Sequence, residues 1–164
     1  MSAPASRRGA TAARAKMLVR LGLKRVAYDW REQHVKEFEE EILQYKKHGL
    51  EYFAFWGAHE EAFRLFAKHR IHPQIWITAP SPQGESQEGR LAAAAKALSP
   101  LVKRTRQLGS KLGLYNHGGW GGEPSNLVAL CEYPEPIKMP DMSVSFTIST
   151  TGTGISRILK NLSS

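Results

Sequence analysis

Apolar and polar positions follow two periodicities along the chain, and their alternation predicts a series of strands and helices. Short apolar runs bounded by polar residues are typical of strands buried on both faces. Between them, apolar residues recur every three or four positions, as along one side of a helix; Val35, Phe38, Ile42 and Tyr45 are an example. The predicted strands cover residues 24–30, 51–57, 73–79 and 111–116, and the predicted helices cover residues 13–21, 32–48, 60–69, 91–108 and 126–133.

This order of elements predicts an α/β protein in which parallel βα units form one sheet with helices outside it. Glycines stop two of the helices just before a strand, at Gly49 and Gly109. Ser99-Pro100 predicts a bend or a division in the longest helix. A doubly wound sheet and a (β/α)₈ barrel both fit the periodicity. A whole barrel usually takes about 250 residues, so the 164 residues here correspond to a partial barrel.

The densest group of chemically useful side chains lies in residues 111–124, which read Lys-Leu-Gly-Leu-Tyr-Asn-His-Gly-Gly-Trp-Gly-Gly-Glu-Pro. An apolar strand here leads into a glycine-rich loop that carries Asn116, His117, Trp120 and Glu123. Glycine permits sharp turns and close backbone approach. Because α/β proteins present their sites at the carboxyl ends of strands, we expect a functional loop. The alternative is a surface turn with an incidental histidine.

Other candidates follow the ends of the earlier strands: Asp29, Trp56, His59 and Thr78. Each has a structural alternative. Asp29 would cap the next helix, Trp56 and Trp76 would pack in the core, and His59 would begin a helix among solvated charges. Three further histidines precede strands, at the opposite rim, where a stabilising role is usual: His48, His69 and His72.

Charge and cysteine content exclude several classes of function. The net charge is +8, from 23 Lys and Arg against 15 Asp and Glu. The excess is patchy and forms no basic stripe interleaved with aromatics, which argues against a nucleic-acid partner. The single cysteine, Cys131, excludes an internal disulfide and a cysteine-only zinc site, and its apolar helical surroundings predict a buried thiol. No apolar run approaches the ~20 residues of a membrane span.

The two ends of the chain differ in composition from its middle. We expect residues 1–12 to be a disordered leader in a cytoplasmic protein; an acid-free start rich in Arg, Ala and Ser also fits an organellar transit peptide. Residues 13–133 form the predicted domain. Residues 134–142 show no helical period, and the Ser-, Thr- and Gly-rich residues 143–164 predict a weak strand or a disordered tail.

Three segments resemble the sugar phosphate isomerase/epimerase family, whose members are xylose isomerase-like TIM barrels. They are residues 21–30, 48–56 and 113–124, of which the glycine block is the most specific. The resemblance covers roughly residues 13–133. It departs at the start, where a strand is expected before residue 13, and after Tyr133, where the family pattern ends. It therefore implies an incomplete TIM barrel.

The resemblance also implies a chemistry. In intact relatives a divalent metal (Mn²⁺, Mg²⁺ or Zn²⁺) lies at the carboxyl ends of the strands and a sugar or sugar phosphate is the substrate. Carried over, His117 and Glu123 would be catalytic, and His117 would also ligate the metal. The residues implied to contact substrate are Asp29, Trp56, Asn116 and Trp120.

The departure after Tyr133 suggests a shift of reading frame. When the third base of each codon is joined to the next two bases, residues 142–154 permit the string Val-Gly-Ile-Val-Tyr-Asn-Phe-His-His-Gly-His-Gly. That string is an apolar strand followed by histidines, which resembles a further strand and site loop of the same family. We hypothesise that residues 134–164 are an out-of-frame tail. The DNA across codons 130–155 tests this directly.

By this interpretation an intact relative is a metal-dependent isomerase or epimerase that moves a proton or hydride beside a polarised carbonyl. This chain would be weakly active or inactive, because metal ligands on later strands would be missing. Two other functions stay open. One is a non-catalytic binding module that self-associates through open sheet edges. The other is an apurinic endonuclease-like metal-dependent hydrolase, which needs several histidines and acids at strand ends.

Overall fold

A computed structural model describes residues 7–29, 32–133 and 143–145, which contain a five-stranded parallel sheet. The strands are β1 (Arg25–Asp29), β2 (Glu51–Trp56), β3 (Gln74–Thr78), β4 (Leu112–Tyr115) and β5 (Ser143–Ser145). They lie side by side in chain order, and every neighbouring pair is parallel. A doubly wound sheet reverses its strand order at a switch point. The consecutive order is instead that of a barrel, which decides between the two architectures.

In the described part of the chain, five helices accompany the sheet: α1 (Arg7–Arg20), α2 (Val35–Lys47), α3 (Glu60–His69), α4 (Gln87–Leu108) and α5 (Pro124–Cys131). Short 3₁₀ turns at Glu32–His34 and Trp120–Gly122 precede α2 and α5. The apolar period of α2 is confirmed, since Phe38, Ile42 and Tyr45 are buried. The predicted bounds of α3 are those observed.

The core lies between the helices and one face of the sheet. Three aromatic rings meet at its centre: the Phe38 ring lies 5.7 Å from Phe55 and 5.9 Å from Phe66, and the last two are 5.2 Å apart. Ring pairs at these separations and tilts attract one another beyond the area that they bury. The neighbouring strands add Ile75, Leu112 and Leu114, all fully buried.

The register between β1 and β2 contains one irregularity with a consequence for the site. Val26 pairs with Tyr52, but Ala27 pairs with Ala54, so β2 holds one extra residue at this point. Such a bulge interrupts the two-residue alternation of side chains. Tyr52 and Phe55, three positions apart, consequently both pack against Phe38 on the helix side. Trp56, next to Phe55, then faces the other way.

The first helix corrects the boundary expected for the leader. α1 begins at Arg7, so residues 7–12 belong to the helix rather than to a disordered segment. The reason is tertiary: Thr11 and Ala15 are buried in the folded chain. The Arg14 guanidinium also pairs with the Glu41 carboxylate of α2. The rest of the expected leader, residues 1–6, lies outside the described residues.

The longest helix differs from its prediction at two places. It begins at Gln87, four residues early, because the Ser86 hydroxyl accepts a hydrogen bond from the Gly89 N–H at 3.1 Å and caps the helix. Ser99-Pro100 does not divide it: one helix continues through Pro100. Pro100 is exposed, so water can satisfy the carbonyl that loses its helical partner.

Beyond Tyr133, the structure describes only residues 143–145. Ser143, Val144 and Ser145 pair in parallel with Gly113, Leu114 and Tyr115 of β4. This is the weak strand that was one of the two expectations for the tail. The remaining residues of the tail lie outside the described part, so the reading-frame hypothesis stays a prediction.

Cys131 sits half-buried near the end of α5. Burial, with a smaller effect of the Glu132 carboxylate, raises the pKa of its thiol to about 12. The thiol is therefore protonated at neutral pH, which makes it a poor nucleophile. This agrees with the apolar packing role predicted from its sequence context. No helix in the described ranges is long and apolar enough to serve as a membrane span.

Candidate functional site

The candidate site is built from the carboxyl ends of the four longer strands. Asp29 ends β1, Trp56 ends β2, Thr78 ends β3 and Tyr115 ends β4. The register places Asp29 beside Trp56 and Thr78 beside Tyr115. Parallel strands bring these ends to the same edge of the sheet, as in barrel enzymes.

Two indoles form a flat surface on the sheet face opposite the helices. Trp56 and Trp76 are register partners on β2 and β3, and their rings stack 6.3 Å apart at 19°. Both are half-buried, whereas Phe55 and Ile75, their neighbours in the chain, are fully buried on the helix side. We call Trp56 and Trp76 the indole pair. In a closed barrel this face would be the interior.

Gly113 makes room for the indole pair. It is the register partner of Trp76 on β4, and a Cβ atom there would lie 2.4 Å from the Trp76 ring. A contact that short does not occur, so any side chain at this position would push the indole away. Gly113 therefore seats Trp76 flat against the sheet, which is a packing role that its place in the apolar run of β4 does not reveal.

The glycine-rich loop after β4 presents His117 to solvent. The His117 ring lies 6.3 Å from the Tyr115 ring, nearly perpendicular to it. Gly118 and Gly119 follow with φ of 78° and 64°, where a side chain would be strained. Asn116 is half-buried beside His117, and the exposed Glu123 precedes α5 at its N-cap position without a side-chain capping bond.

A closed set of hydrogen bonds holds this loop to the start of α4. The Trp120 indole N–H donates to Gln87 Oε1 at 2.8 Å, Gln87 Nε2 donates to Asn126 Oδ1 at 2.6 Å, and Asn126 Nδ2 donates back to the Trp120 carbonyl at 2.8 Å. Trp120 is half-buried in this arrangement. Its polar edge is therefore committed to positioning the loop, which leaves only its ring for contact with a ligand.

A second anchor fixes the middle of the loop. The Gly121 N–H donates to Ser81 Oγ at 2.8 Å. A Cβ at Gly121 would lie 2.5 Å from the carbonyl oxygens of Ala79 and Pro80, so only glycine fits. The glycines thus serve close backbone approach as well as turning. Sequence reasoning missed Ser81, Gln87 and Asn126, because their positions along the chain show nothing of these contacts.

His59 has the structural role that was its alternative. It is the N-cap of α3, where its Nδ1 accepts a hydrogen bond from the Glu61 N–H at 3.2 Å. Its Nε2 lies 3.2 Å from a carboxylate oxygen of Glu32. The histidines of the opposite rim also bind structural partners. His48 contacts the Gln44 carbonyl, His69 the Glu39 carboxylate and His72 the Leu108 carbonyl.

The donor set at the strand ends does not fit the divalent metal that the family resemblance implies. Among the described residues, no three or more His, Cys, Asp or Glu side chains are grouped so as to hold a metal ion. The four strand ends supply one carboxylate, Asp29, with an indole, a hydroxyl and a phenol. Catalytic zinc usually has three protein ligands. No catalytic step through a metal follows from these residues.

Comparison with known proteins identifies the fold. No protein-family model and no curated protein sequence matches the chain. In structure the chain is similar to a xylose isomerase-like TIM barrel protein from Mycobacterium smegmatis in complex with magnesium, with a TM-score of 0.57 at 14% identity. It is also similar to a D-psicose 3-epimerase in the presence of D-fructose, with a TM-score of 0.58 at 13% identity.

The chain has the fold of a partial TIM barrel. The alignments cover 87% and 83% of this chain but 56% and 57% of the two solved structures, so it spans little more than half of their length. The consecutive parallel order of β1 to β4 agrees with an arc of such a barrel. At these identities the likeness concerns the fold.

Proposed function

We propose that the carboxyl edge of this partial barrel binds a sugar or sugar phosphate, and that the chain has weak or no isomerase or epimerase activity. The observation that carries the proposal is the indole pair, which lies half-exposed on the inner face of the sheet. Aromatic side chains accompanied by a few well-placed polar groups are the usual lining of a small-molecule site. The C–H faces of a sugar ring pack well on such a surface.

Polar groups around the indole pair supply the complementary contacts. Asp29 is the register partner of Trp56, and Thr78 ends the strand that carries Trp76. Asn116 and His117 follow the next strand. Carboxylate, hydroxyl, amide and imidazole groups all form hydrogen bonds with sugar hydroxyls. Glu123 and Trp120 complete the proposed site from the anchored loop.

Weak turnover follows from the donor set. Proton or hydride shifts beside a carbonyl need a group that stabilises the developing negative charge, and in the implied chemistry a metal does so. The described residues offer no cluster of three ligands. The same observation favours a binding module over an endonuclease-like hydrolase, which would also need such a cluster.

Titration with D-fructose, followed by tryptophan fluorescence, tests the binding proposal. Trp56→Ala should weaken binding by about tenfold or more because it removes one stacking surface, whereas Trp56→Phe should keep most of the affinity. His72→Ala, at the opposite rim, is the matched control and should bind like the wild type. Failure of the wild type to bind, or equal binding by Trp56→Ala, would overturn the proposal.

Turnover is tested separately by following the epimerisation of D-fructose at carbon 3 by NMR. We expect little or no product, with or without added Mg²⁺, Mn²⁺ or Zn²⁺. Rapid metal-dependent epimerisation would contradict the weak-activity part of the proposal and leave the binding part standing.

A further inference from the structure

Positive charge that is scattered along the sequence converges on the edge of the sheet opposite the candidate site. Because the strands are parallel, α2, α3 and α4 each run back to the amino edge, and their C-terminal ends meet where the next strands begin. Exposed cations lie in the last turn of α2 and in the residues that lead into β1, β3 and β4: Lys24, Lys46, Lys47, Arg70 and Lys111. We call these five residues the basic rim.

Backbone hydrogen bonds hold the junctions of the basic rim side by side. The Glu51 N–H donates to the Lys24 carbonyl at 2.9 Å, which joins the junctions before β1 and β2. The Ile75 N–H donates to the Lys111 carbonyl at 2.8 Å, which joins the junctions before β3 and β4. Neighbouring strands lie about 4.8 Å apart, so the four junctions form one band roughly 15 Å long.

The positive charges of the basic rim are not compensated by described residues. None of the five cations forms an ion pair with a described side chain. Within residues 20–25, 46–51, 70–74 and 106–112 the one acid is Glu51, and it pairs with Arg25. A strand added along either side of the sheet would lengthen this band without covering it, so the charge faces outward in a longer arc as well.

The backbone at Arg70 indicates that a cation is kept here at a cost to the fold. The junctions after α2 and α4 contain Gly49 and Gly109 in the left-handed conformation, with φ of 67° and 71°. After α3 the left-handed residue is Arg70, with φ of 52°, where a Cβ atom is unfavourable and glycine is preferred. Folding alone would favour glycine at this position, which suggests that the exposed guanidinium has a function.

Exposed leucines on the same edge indicate the kind of partner. Leu21 and Leu23 directly precede Lys24 in the turn between α1 and β1, and they are 67% and 47% exposed. Apolar side chains beside lysines and arginines are typical of surfaces that lie on anionic lipid, where the apolar groups enter the interface and the cations contact phosphates. A single-stranded nucleic acid would favour aromatic rings for base stacking, and no large exposed apolar side chain of the described residues is aromatic.

We propose that the basic rim, together with Leu21 and Leu23, docks on a membrane surface that contains anionic phospholipids. Such docking is peripheral and needs no membrane-spanning helix. It leaves the carboxyl edge of the sheet, with the indole pair, directed away from the lipid. The proposal therefore stands or falls separately from sugar binding.

Co-sedimentation of the 164-residue chain with lipid vesicles tests the docking. Vesicles of phosphatidylcholine are compared with vesicles that also contain about 30% phosphatidylserine. We expect partition into the anionic vesicles to be stronger by about tenfold or more, and to be largely lost when the salt concentration rises from about 0.1 M to about 0.5 M, because salt screens the charges. Equal binding to the two kinds of vesicle, or binding to neither, would overturn the proposal.

A matched pair of charge variants locates the surface. Lys111→Gln should weaken binding to the anionic vesicles about fivefold, since it removes one cation of the basic rim. Lys96→Gln removes the same charge from the exposed middle of α4 and should bind like the wild type. Leu21→Ser should also weaken binding, because it removes an apolar side chain from the interface. An equal loss in Lys111→Gln and Lys96→Gln would show a response to net charge alone and would overturn the assignment to this rim.

Arg70→Gly separates a functional role of this cation from a structural one. The variant should unfold at a higher urea concentration, since glycine accepts the left-handed conformation, and should bind anionic vesicles about fivefold more weakly. Unchanged vesicle binding in Arg70→Gly would contradict the proposed role of Arg70. Binding of single-stranded RNA or polyglutamate by a chain that ignores anionic vesicles would assign the rim another partner and overturn the lipid proposal.

Discussion

At the scale of single residues, the Trp76 ring packs against Gly113, and this contact positions a side chain of the proposed site. The indole lies flat because the partner position on β4 carries no side chain. The stacking of Trp76 with Trp56 then follows from their register. The flat surface that we propose for sugar binding thus depends on a glycine on a neighbouring strand.

Gly113→Ala should destabilise the fold by roughly 1–3 kcal/mol, since the added methyl group overpacks against the Trp76 ring. Urea unfolding measures the loss. Gly84→Ala is the control, because its added Cβ meets only the flexible Arg90 side chain, and it should change stability by less than about 0.5 kcal/mol. In a Trp76→Ala background the cost of Gly113→Ala should shrink. If Gly113→Ala lowered the stability equally in the wild-type and Trp76→Ala backgrounds, the packing of Trp76 on Gly113 would be contradicted.

The sequence did not predict which way the tryptophans of β2 and β3 face. Their sequence context favours packing in the core for Trp56 and Trp76, whereas both face away from the buried helix side. Strict alternation along β2 would place Trp56 on the face of Tyr52. The extra residue opposite Val26 and Ala27 reverses this, and a bulge of that kind is set by strand pairing rather than by local sequence.

At the scale of elements, one buried carboxylate fastens α1 to the rest of the molecule. Glu41 is 1% exposed, accepts a hydrogen bond from the Tyr45 hydroxyl at 2.7 Å, and pairs with Arg14 of α1. Burial and the Glu41 contact raise the pKa of Tyr45 above its ordinary value, so the phenol stays a donor. This long-range pair joins α1 to α2 across 27 positions of the sequence.

Glu41→Gln should cost about 2 kcal/mol of stability, less than a fully buried ion pair because Arg14 remains partly exposed. Thermal or urea unfolding measures the effect. Glu51→Gln is the matched control: it breaks the pair of Glu51 with Arg25, in which both side chains are exposed, and should cost less than about 1 kcal/mol. Equal losses of unfolding free energy in Glu41→Gln and Glu51→Gln would contradict the role of Glu41 in holding α1 to α2.

A second carboxylate joins α2 to α3 and gives the fold a sensitivity to acid. Hydrogen bonds from Lys68 at 2.6 Å and His69 at 2.7 Å hold the pKa of Glu39 below its ordinary 4.5. A lowered folded-state pKa contributes stability that is present above pH 4.5 and lost as the pH falls through the folded value. The free energy of unfolding of Glu39→Gln should therefore fall less than that of the wild type as the pH drops below 4.5. An equal loss of unfolding free energy with falling pH in Glu39→Gln and the wild type would contradict this role of Glu39.

At the scale of the whole molecule, the sequence predicted the parallel βα order but not the arrangement of the strands in space. Hydrophobic periodicity reports which residues are buried, and it does not report which strand lies beside which. Periodicity alone did not choose between a barrel and a doubly wound sheet; the family resemblance implied an incomplete TIM barrel, and the observed order of β1 to β5 confirms it. The hydrogen bonds that anchor the glycine loop were equally hidden, because they join residues up to 40 positions apart.

The central claim is that residues 7–29 and 32–133 form an arc of a parallel barrel whose inner face carries the indole pair. A crystal structure of the 164-residue chain tests it most directly. It should show β1 to β4 in consecutive parallel order, with Trp56 stacked on Trp76 and Gly113 beneath the second indole. A different strand order, or both indoles packed beneath the helices, would contradict the account.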